Sequence, residues 1–301
     1  MFDAVGRLRL NGARAALESF LSLAGLLAIR ILPPRVSYLL AEHLMGGIAA
    51  RPRSGLFRAV QANQAVVRGL ALGDPRLDQA VRDVFLEAGR GYVDWFRAIA
   101  RGPNAIPEMV HLSPVCQEFL RGRGAMVVGG HLNGFNLMTL RLAQASEQAL
   151  LLTMADVSGT HALENSLRRR LGLVTAPLSV GALRRGLRLL RAGGKVMTGV
   201  DRPGPDGHPL LFFGRRALLP VGHVRLAARA AVPIFVADVR REAAGRYFID
   251  GQAIDSPRDG GSSEAALVSV AEEVLRQLEQ SIRRRPSSWL MFVPVWQPVE
   301  P

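Results

Sequence analysis

The first third of the chain carries apolar residues at helical spacing. From residue 36 to about residue 100 these residues recur every three or four positions. In Pro75 to Ile99, for example, Val81, Phe85 and Ala88 share one helical face. The pattern predicts a set of helices that precedes the rest of the domain.

From about Gly122 the pattern changes, and short apolar runs alternate with amphipathic segments. Alternating β and α elements are typical of a mostly parallel sheet with helices on both faces. The pattern therefore predicts an α/β fold with an N-terminal helical extension. Strands are predicted at residues 125–129, 150–154, 195–200, 233–239 and 246–250, the last as an antiparallel edge strand. Helices are predicted at residues 134–149, 162–171, 180–192, 221–231 and 264–283.

The N-terminal residues 15–32 form an apolar stretch with arginines on both sides. Only Ser19 to Ile29 lacks charge, which is shorter than the roughly 20 apolar residues that span a bilayer. We predict a helix in the membrane interface, with a helix packed on the core as the alternative. The predicted organisation is a membrane-interacting helix over residues 1–35 and a domain over 36–301 that includes a helical cap over 36–120.

Composition and net charge limit the classes of molecule that the chain is expected to bind. The chain has 301 residues and a single cysteine, Cys116, so no disulfide can form within it, which fits a reducing compartment. The six histidines are scattered, and no metal site is predicted. A net charge of +13 favours anionic lipid headgroups, an acidic carrier protein or phosphorylated substrates as partners. Nucleic acid is disfavoured, because aromatic residues are few and no nucleic-acid-binding motif is present.

One histidine stands where a ligand is expected to bind. In GAMVVGGHLNGFN, a predicted strand ends at Gly129-Gly130, His131 follows, and a helix begins a few residues later. In open α/β sheets, ligands bind at the carboxyl ends of strands. A histidine there can accept a proton from a hydroxyl if another group holds its ring in the useful tautomer. Taken alone, a single histidine at a strand end is more often structural than catalytic.

A second segment, residues 195–242, places a strand before Asp201 and a glycine-rich loop after it. Two arginines, Arg215 and Arg216, then follow Gly214. Guanidinium groups bind phosphate and carboxylate in a bidentate manner, so the pair suits an anion clamp. Two solvated surface arginines are the alternative.

Together these segments resemble the lipid A biosynthesis lauroyl/myristoyl acyltransferases and the phosphatidylinositol mannoside acyltransferases of the lysophospholipid acyltransferase superfamily. In that family a strand leads to His-x4-Glu/Asp, and a later strand ends in Asp before a glycine-rich loop and an F-F-G segment. The corresponding pieces here are HLNGFN at 131–136, GVDRPG at 199–204, FFG at 212–214, LPVG at 219–222, LAARAAVPIFVADVRR at 226–241 and PSSWLMFVPVW at 286–296.

The resemblance implies a glycerolipid acyltransferase fold and an O-acyltransferase. In it, His131 is the base that deprotonates a hydroxyl of a glycolipid or lysophospholipid, and the acyl group comes from a thioester of acyl carrier protein or coenzyme A. No cofactor beyond this co-substrate is implied. The implied location is the cytoplasmic side of the inner membrane, peripheral or N-terminally anchored. The implied substrate-binding residues are Asp201, Arg202, Gly214, Arg215 and Arg216.

The chain departs from the family at one catalytic position, where Asn136 replaces the usual Glu or Asp. Asn133 and Gly134 also stand in the reverse of the usual order. An amide can fix a histidine tautomer, but it cannot stabilise the imidazolium that forms when His131 accepts a proton. Either another acid serves, with Asp156 and Asp201 as the first candidates, or the enzyme is slow, or the chain is a degenerate member that binds lipid or a partner without catalysis.

Overall fold

The computed structural model describes residues 29, 31–154, 160–204, 206–242, 245–257 and 263–296. The interface helix predicted within residues 15–32 lies almost entirely outside these ranges. Within the described ranges, no helix combines the length and the apolar character that crossing a membrane requires.

Helices occupy the first third of the described chain, as the apolar periodicity predicts. The third of them is long, and it buries Val81, Val84 and Phe85 along one face. The second begins after Ser54, whose hydroxyl accepts a hydrogen bond from the amide of Phe57. These helices are α1 (Pro34–Ala49), α2 (Gly55–Arg68), α3 (Arg76–Arg101) and α4 (Ala105–Met109).

Strands and helices then alternate to the end of the described chain. The strands are β1 (Val110–Leu112), β2 (Ala125–Gly129), β3 (Ala149–Thr153), β4 (Thr175–Pro177), β5 (Lys195–Gly199), β6 (His208–Phe212), β7 (Arg215–Leu219), β8 (Ile234–Arg241) and β9 (Tyr247–Ile254). The helices are α5 (Pro114–Arg121), α6 (Phe135–Gln144), α7 (Thr160–Arg170), α8 (Val180–Arg191), α9 (Gly222–Ala230) and α10 (Glu264–Arg284), and a short 3-10 turn follows at Pro286–Ser288.

Seven of the described strands form one sheet in the order β1-β9-β8-β2-β5-β3-β4. Every neighbouring pair is parallel except β8 with β9, so the predicted mixed, mostly parallel sheet is confirmed. β9 is antiparallel to β8 but is not an edge strand, because β1 pairs with its other side. β1 itself falls in the segment predicted to be a helical cap. Three residues are too few for strand periodicity to be visible in the sequence.

Helices cover both faces of the sheet, and two adjacent glycines show this directly. A side chain at Gly129 would point at Met138 of α6, and one at Gly130 would point at Leu278 of α10. Successive residues of a strand face opposite sides of its sheet. α6 therefore packs on one face and α10 on the other.

The F-F-G segment lies in a β-hairpin, and neither of the hairpin strands is among the predicted elements. β6 and β7 pair in antiparallel register across a turn at Phe213 and Gly214, whose φ angles are 53° and 71°. Two positive φ values are typical of the tight turns that join hairpin strands. Phe212 fastens the hairpin to the C-terminal segment: its ring stacks on Trp296 at 5.6 Å, and its carbonyl accepts the Trp296 indole N–H.

A buried carboxylate, Asp94 of α3, ties α1 to the sheet. It accepts hydrogen bonds from the hydroxyl of Tyr38 in α1, from Arg241 Nε at 2.6 Å and from the Tyr247 hydroxyl at 2.8 Å. The Tyr247 ring in turn lies against Gly134, where φ is 101° and a Cβ atom would come within 2.5 Å of Tyr247 Cε1. The Asp94 network thus also supports the loop that follows His131.

Asp94→Ala removes the acceptor of three donors and leaves the Arg241 guanidinium partly buried without its carboxylate. Breaking a buried pair in this way costs roughly 3–5 kcal/mol of unfolding free energy. We expect a loss of that size in urea-induced unfolding. Glu118→Ala, on the exposed surface of α5, is the matched control and is expected to change stability by less than about 0.5 kcal/mol. A loss below about 1 kcal/mol for Asp94→Ala would contradict this role.

Candidate functional site

Two neighbouring parallel strands bring His131 and Asp201 together. β2 and β5 pair in register, with Gly129 opposite Gly199. Each strand ends there, and the chain continues for two residues to His131 on one side and to Asp201 on the other. The adjacent strand ends therefore place an imidazole beside a carboxylate at the carboxyl edge of the sheet, where α/β proteins bind ligands.

Asp201 holds His131 through both of its oxygens. Oδ1 lies 2.6 Å from Nδ1 of the His131 ring, and Oδ2 accepts the His131 backbone N–H at 2.8 Å. Oδ2 also accepts the indole N–H of Trp289 at 2.7 Å. The Asp201 side chain is fully buried. A buried charge needs such partners, because unpaired burial of a carboxylate is costly.

These contacts decide the charge of the carboxyl and the tautomer of the ring. Burial disfavours the charged form of Asp201, but the attraction of His131 and the hydrogen bonds from His131 and Trp289 outweigh it and lower the pKa of the carboxyl. An ionised carboxylate has no proton to donate, so the neutral His131 ring carries its proton on Nδ1. The lone pair of Nε2 is then free to accept a proton.

The His131 ring is held in place but reaches solvent. Its side chain is 33% exposed, and Phe135 stacks on it at 5.5 Å and 13°. A Cβ atom at residue 199 would lie 2.9 Å from the ring Cε1, so Gly199 leaves the space that the ring occupies. Among the described residues, Nε2 has no hydrogen-bond partner. The ring is thus fixed at Nδ1 and open at Nε2.

The C-terminal segment 286–296 builds part of this site. The amide of Leu290 donates to the carbonyl of His131 at 2.8 Å, and the amide of Asn133 donates to the carbonyl of Ser288 at 2.7 Å. Between these bonds lies Trp289, whose indole reaches Asp201. The segment therefore fixes both the loop that carries His131 and the carboxylate that orients its ring.

Asn136 points to an arginine and not to the histidine. Its Oδ1 accepts hydrogen bonds from Nε of Arg168, at 3.1 Å, and from Nη2 of the same residue. Arg168 is almost fully buried, and it also binds Asn165 and Glu164. Within the described chain, no hydrogen bond joins Asn136 to His131. In the structure, Asp201 stands beside the imidazole, and Asn136 helps to hold a buried guanidinium.

The swap of Asn133 and Gly134 also has a structural reason. Asn133 is buried, and its amide nitrogen donates to the backbone carbonyl and the carboxylate of Glu87 at 3.0 and 2.9 Å. Gly134 takes the positive φ that precedes α6. The order seen here suits a loop that binds α3 through residue 133 and turns at residue 134.

Of the residues predicted to bind substrate, Asp201 is the partner of the His131 ring. The structure does not link the others to the ring by a hydrogen bond within the described ranges. Arg202 follows Asp201, is partly exposed, and makes no ion pair with any described residue. Gly214 lies in the hairpin turn, and Arg215 and Arg216 are exposed on β7, with no hydrogen bond that links them to His131 in the described ranges. The other candidate acid, Asp156, lies outside the described residues.

Three residues of the site have no predicted role. Trp289 lies in a motif that supports the resemblance. A buried tryptophan usually donates its indole N–H to an acceptor, and this tendency is the one feature of the sequence that could have pointed to its role. Phe135 precedes Asn136 and reads as an ordinary apolar helix residue. Arg168 sits beside two exposed arginines in α7, and nothing in the sequence separates the buried one from its neighbours.

No metal centre accompanies the pair: across the described ranges, no three His, Cys, Asp or Glu side chains are grouped so that they could hold an ion. The chemistry available from the geometry is proton transfer. A hydroxyl that reaches Nε2 of His131 can give up its proton there, and Asp201 stabilises the resulting imidazolium.

The comparison with protein families agrees with the earlier resemblance. Residues 9–298 match the family described as bacterial lipid A biosynthesis acyltransferase. No curated protein matches the chain. Among solved structures, the 1-acyl-sn-glycerophosphate acyltransferase PlsC from Thermotoga maritima is similar, with 18% identity and a TM-score of 0.38. That similarity covers 83% of this chain and 99% of the other. Since the family match extends over almost the whole sequence, the chain belongs to the bacterial lipid A biosynthesis acyltransferases.

Proposed function

We propose that the protein transfers a fatty acyl group from a thioester to a hydroxyl of a glycolipid or lysophospholipid, with His131 as the general base. The observation that carries this proposal is the contact of His131 Nδ1 with the buried carboxylate of Asp201, which leaves Nε2 open. A base that is oriented on one nitrogen and free on the other meets the geometric requirement for deprotonating an alcohol.

The transfer proceeds through these groups in a balanced sequence. Nε2 of His131 takes the proton of the acceptor hydroxyl as its oxygen attacks the thioester carbonyl. A tetrahedral intermediate forms, and its carbon–sulfur bond then breaks. The thiolate leaves with the proton that the imidazolium returns, which yields an ester and a free thiol. Asp201 keeps its negative charge throughout and stabilises the imidazolium.

Asp201 supports an active enzyme despite the amide at residue 136. A degenerate protein would lack any carboxylate near the base, whereas here one oxygen of Asp201 lies 2.6 Å from the ring. We therefore favour an active enzyme over a protein that only binds lipid or a partner. The partly exposed guanidinium of Arg202, next in the chain, is our candidate for binding an acidic group of the acceptor or donor.

We also propose peripheral association with the membrane through the exposed face of α1. Leu39 and Leu44 of this helix are 66% and 58% exposed, and Ile31 just before it is also exposed. They continue the apolar stretch that begins near residue 15. A helix with an exposed apolar face and nearby arginines is suited to lie in the membrane interface.

Asp201→Asn tests the proposed base most sharply. Two N–H donors, from the His131 backbone and from Trp289, face the Oδ2 position. The amide oxygen of the variant will therefore turn to them, and its NH2 group will face Nδ1. That arrangement forces the ring proton onto Nε2, which can then no longer accept one. We expect kcat to fall at least about a hundredfold, measured as transfer of a labelled acyl group to lipid. His131→Ala should be at least as inactive, and near-normal turnover in either variant would exclude this mechanism.

Asn136→Asp tests whether residue 136 serves the histidine. The change restores a family-type carboxylate in a side chain of the same shape, but Arg168 already occupies this position. We expect an ion pair with Arg168, a thermal stability equal to or above that of the wild type, and a kcat within about threefold of it. A gain of tenfold or more in kcat would mean that residue 136 reaches the His131 ring after all.

The double variant Leu39→Gln/Leu44→Gln tests the membrane face. Each exposed leucine contributes about 1.5–3 kcal/mol when it becomes buried in an apolar medium. We expect partitioning onto vesicles that contain anionic lipid to fall at least tenfold in a flotation assay. Leu72→Gln/Val115→Gln alters two exposed apolar residues elsewhere and is the control. Equal binding by the two double variants would rule out α1 as the contact.

A further inference from the structure

A pocket of about 440 Å³ lies where the helical first third of the chain meets the C-terminal segment. Arginines from three helices, α2, α3 and α10, converge on it, and apolar residues form the rest of its wall. The lining residues are Arg68, Arg76, Arg283, Val67, Leu70 and Pro286. In the described structure none of them bonds to His131 or Asp201, so the pocket is separate from the proposed catalytic pair.

The pocket holds more positive than negative charge. Arg76 is paired with Asp74 at 2.6 Å, and the guanidinium of Arg283 lies 3.4 Å from the carboxylate of Glu279. Arg68 forms no ion pair with any described residue, and its hydrogen bonds go to neutral groups. Two carboxylates thus face three guanidiniums, and the charge of Arg68 is left without a counter-ion.

Two of these guanidiniums are already oriented by neutral neighbours. Arg68 donates from Nε to Gln64 Oε1 at 2.8 Å and from Nη2 to Ser287 Oγ at 3.0 Å, while its Nη1 makes no hydrogen bond to a described residue. Arg283 lies over the ring of Phe213, with Cζ 4.6 Å from the ring centre. A side chain that is held in this way loses less conformational entropy when it binds an anion.

The pocket lies toward the carboxyl edge of the sheet. Leu278 of α10 packs beside Gly130, just after the end of β2. Arg283 follows about 7.5 Å farther along the helix axis. The chain then leaves α10 and forms the C-terminal segment that bonds to the His131 loop. The pocket is therefore on the side of the sheet where the catalytic pair lies.

Two of the arginines contact the immediate neighbours of Trp289. Arg68 binds Ser287, in the turn that precedes Trp289. Arg283 covers Phe213, whose ring centre is 6.4 Å from that of Trp289. The indole of Trp289 in turn donates to the buried carboxylate of the catalytic pair. An anion held between these arginines therefore braces the turn from one side and the hairpin from the other.

We propose that this pocket binds a phosphate group of an organic ligand, and that the bound ligand steadies the turn that carries Trp289. A tetrahedral phosphate has oxygens in several directions and can accept from guanidiniums of two helices at once, whereas a carboxylate presents two oxygens in one plane. The volume is that of a small-molecule site and exceeds the needs of a bare phosphate ion. The apolar wall suits the rest of the ligand.

A phospholipid headgroup and a soluble phosphate ester share this chemistry. The test is calorimetric titration of the full chain with three probes: inorganic phosphate, monomeric dihexanoyl-phosphatidylglycerol and acetate. The variant Arg68→Gln/Arg283→Gln removes two of the guanidiniums. The matched control Arg58→Gln/Arg284→Gln removes the same charge from exposed arginines of the same two helices that do not line the pocket.

Circular dichroism establishes that each variant folds. Should the variant with two glutamines fail to fold, Arg68→Lys/Arg283→Lys replaces it, because lysine keeps the charge but lacks the bidentate fork. The same direction of change is expected from both versions.

We expect wild type and control to bind at least one phosphate-bearing probe with Kd values within twofold of each other. The variant should bind that probe at least about tenfold more weakly, because charge-assisted hydrogen bonds are lost. Acetate should bind wild type at least about tenfold more weakly than the phosphate-bearing probe. Preference for the lipid identifies a headgroup as the ligand, and equal affinity for inorganic phosphate identifies a soluble phosphate compound.

Hydrogen exchange tests the effect on the turn. The amide of Leu290 donates to the carbonyl of His131, and the amide of Trp289 donates to the carbonyl of Pro286. A saturating phosphate-bearing probe should slow the exchange of both amides in wild type and in the control, because opening of the turn then requires loss of the ligand. The variant should show no such protection.

Several results would overturn the proposal. They are the absence of binding by either phosphate-bearing probe at millimolar concentration, equal Kd values for variant and control, and equal affinity for acetate. Binding without added protection of the Trp289 and Leu290 amides would refute the effect on the turn. None of these measurements involves acyl transfer, so an inactive wild type would count against the proposed function and leave this test unaffected.

Discussion

The site depends on one buried negative charge. Asp201 is fully enclosed, and a carboxylate in that position persists only when hydrogen-bond donors surround it. Its three donors are the ring and the backbone amide of His131 and the indole of Trp289. The three donors lie in different parts of the fold: the ring is the group that the carboxylate orients, the amide follows the end of β2, and the indole belongs to the C-terminal segment.

Much of the surrounding architecture serves to keep those donors in position. The parallel pairing of β2 with β5 sets the distance between the two chains that carry His131 and Asp201. The C-terminal segment binds the His131 loop through backbone hydrogen bonds and presents Trp289. The hairpin packs Phe212 against Trp289 and Trp296, so the F-F-G segment acts here as support for the site. Arg215 and Arg216, which the sequence offered as an anion clamp, lie on the outer part of that hairpin.

The amide at residue 136 is best understood together with Arg168. A buried guanidinium needs acceptors, and Asn136 supplies one beside Asn165 and Glu164. The chain therefore separates two tasks: Asp201 places its charge beside the His131 ring, and Asn136 supplies an acceptor to a nearby cation. The residue at the motif's usual carboxylate position, Asn136, contacts Arg168, whereas the carboxylate beside His131 comes from a neighbouring strand. Which acid faces a histidine depends on strand adjacency and not on sequence separation.

The sequence by itself determined the fold class, the helical first third and the place of His131 at a strand end. These follow from apolar periodicity and from short-range motifs, which act within a few residues. It also offered Asp201 as a possible acid, because a strand leads into it. Only the tertiary structure placed Asp201 beside the His131 ring. The deciding contacts join residues about 70 and 90 positions apart, as in the bonds of Asp201 to His131 and Trp289. The same holds for β1, for the hairpin turn and for the buried state of Arg168: each arises from long-range packing, which no local pattern in the chain records.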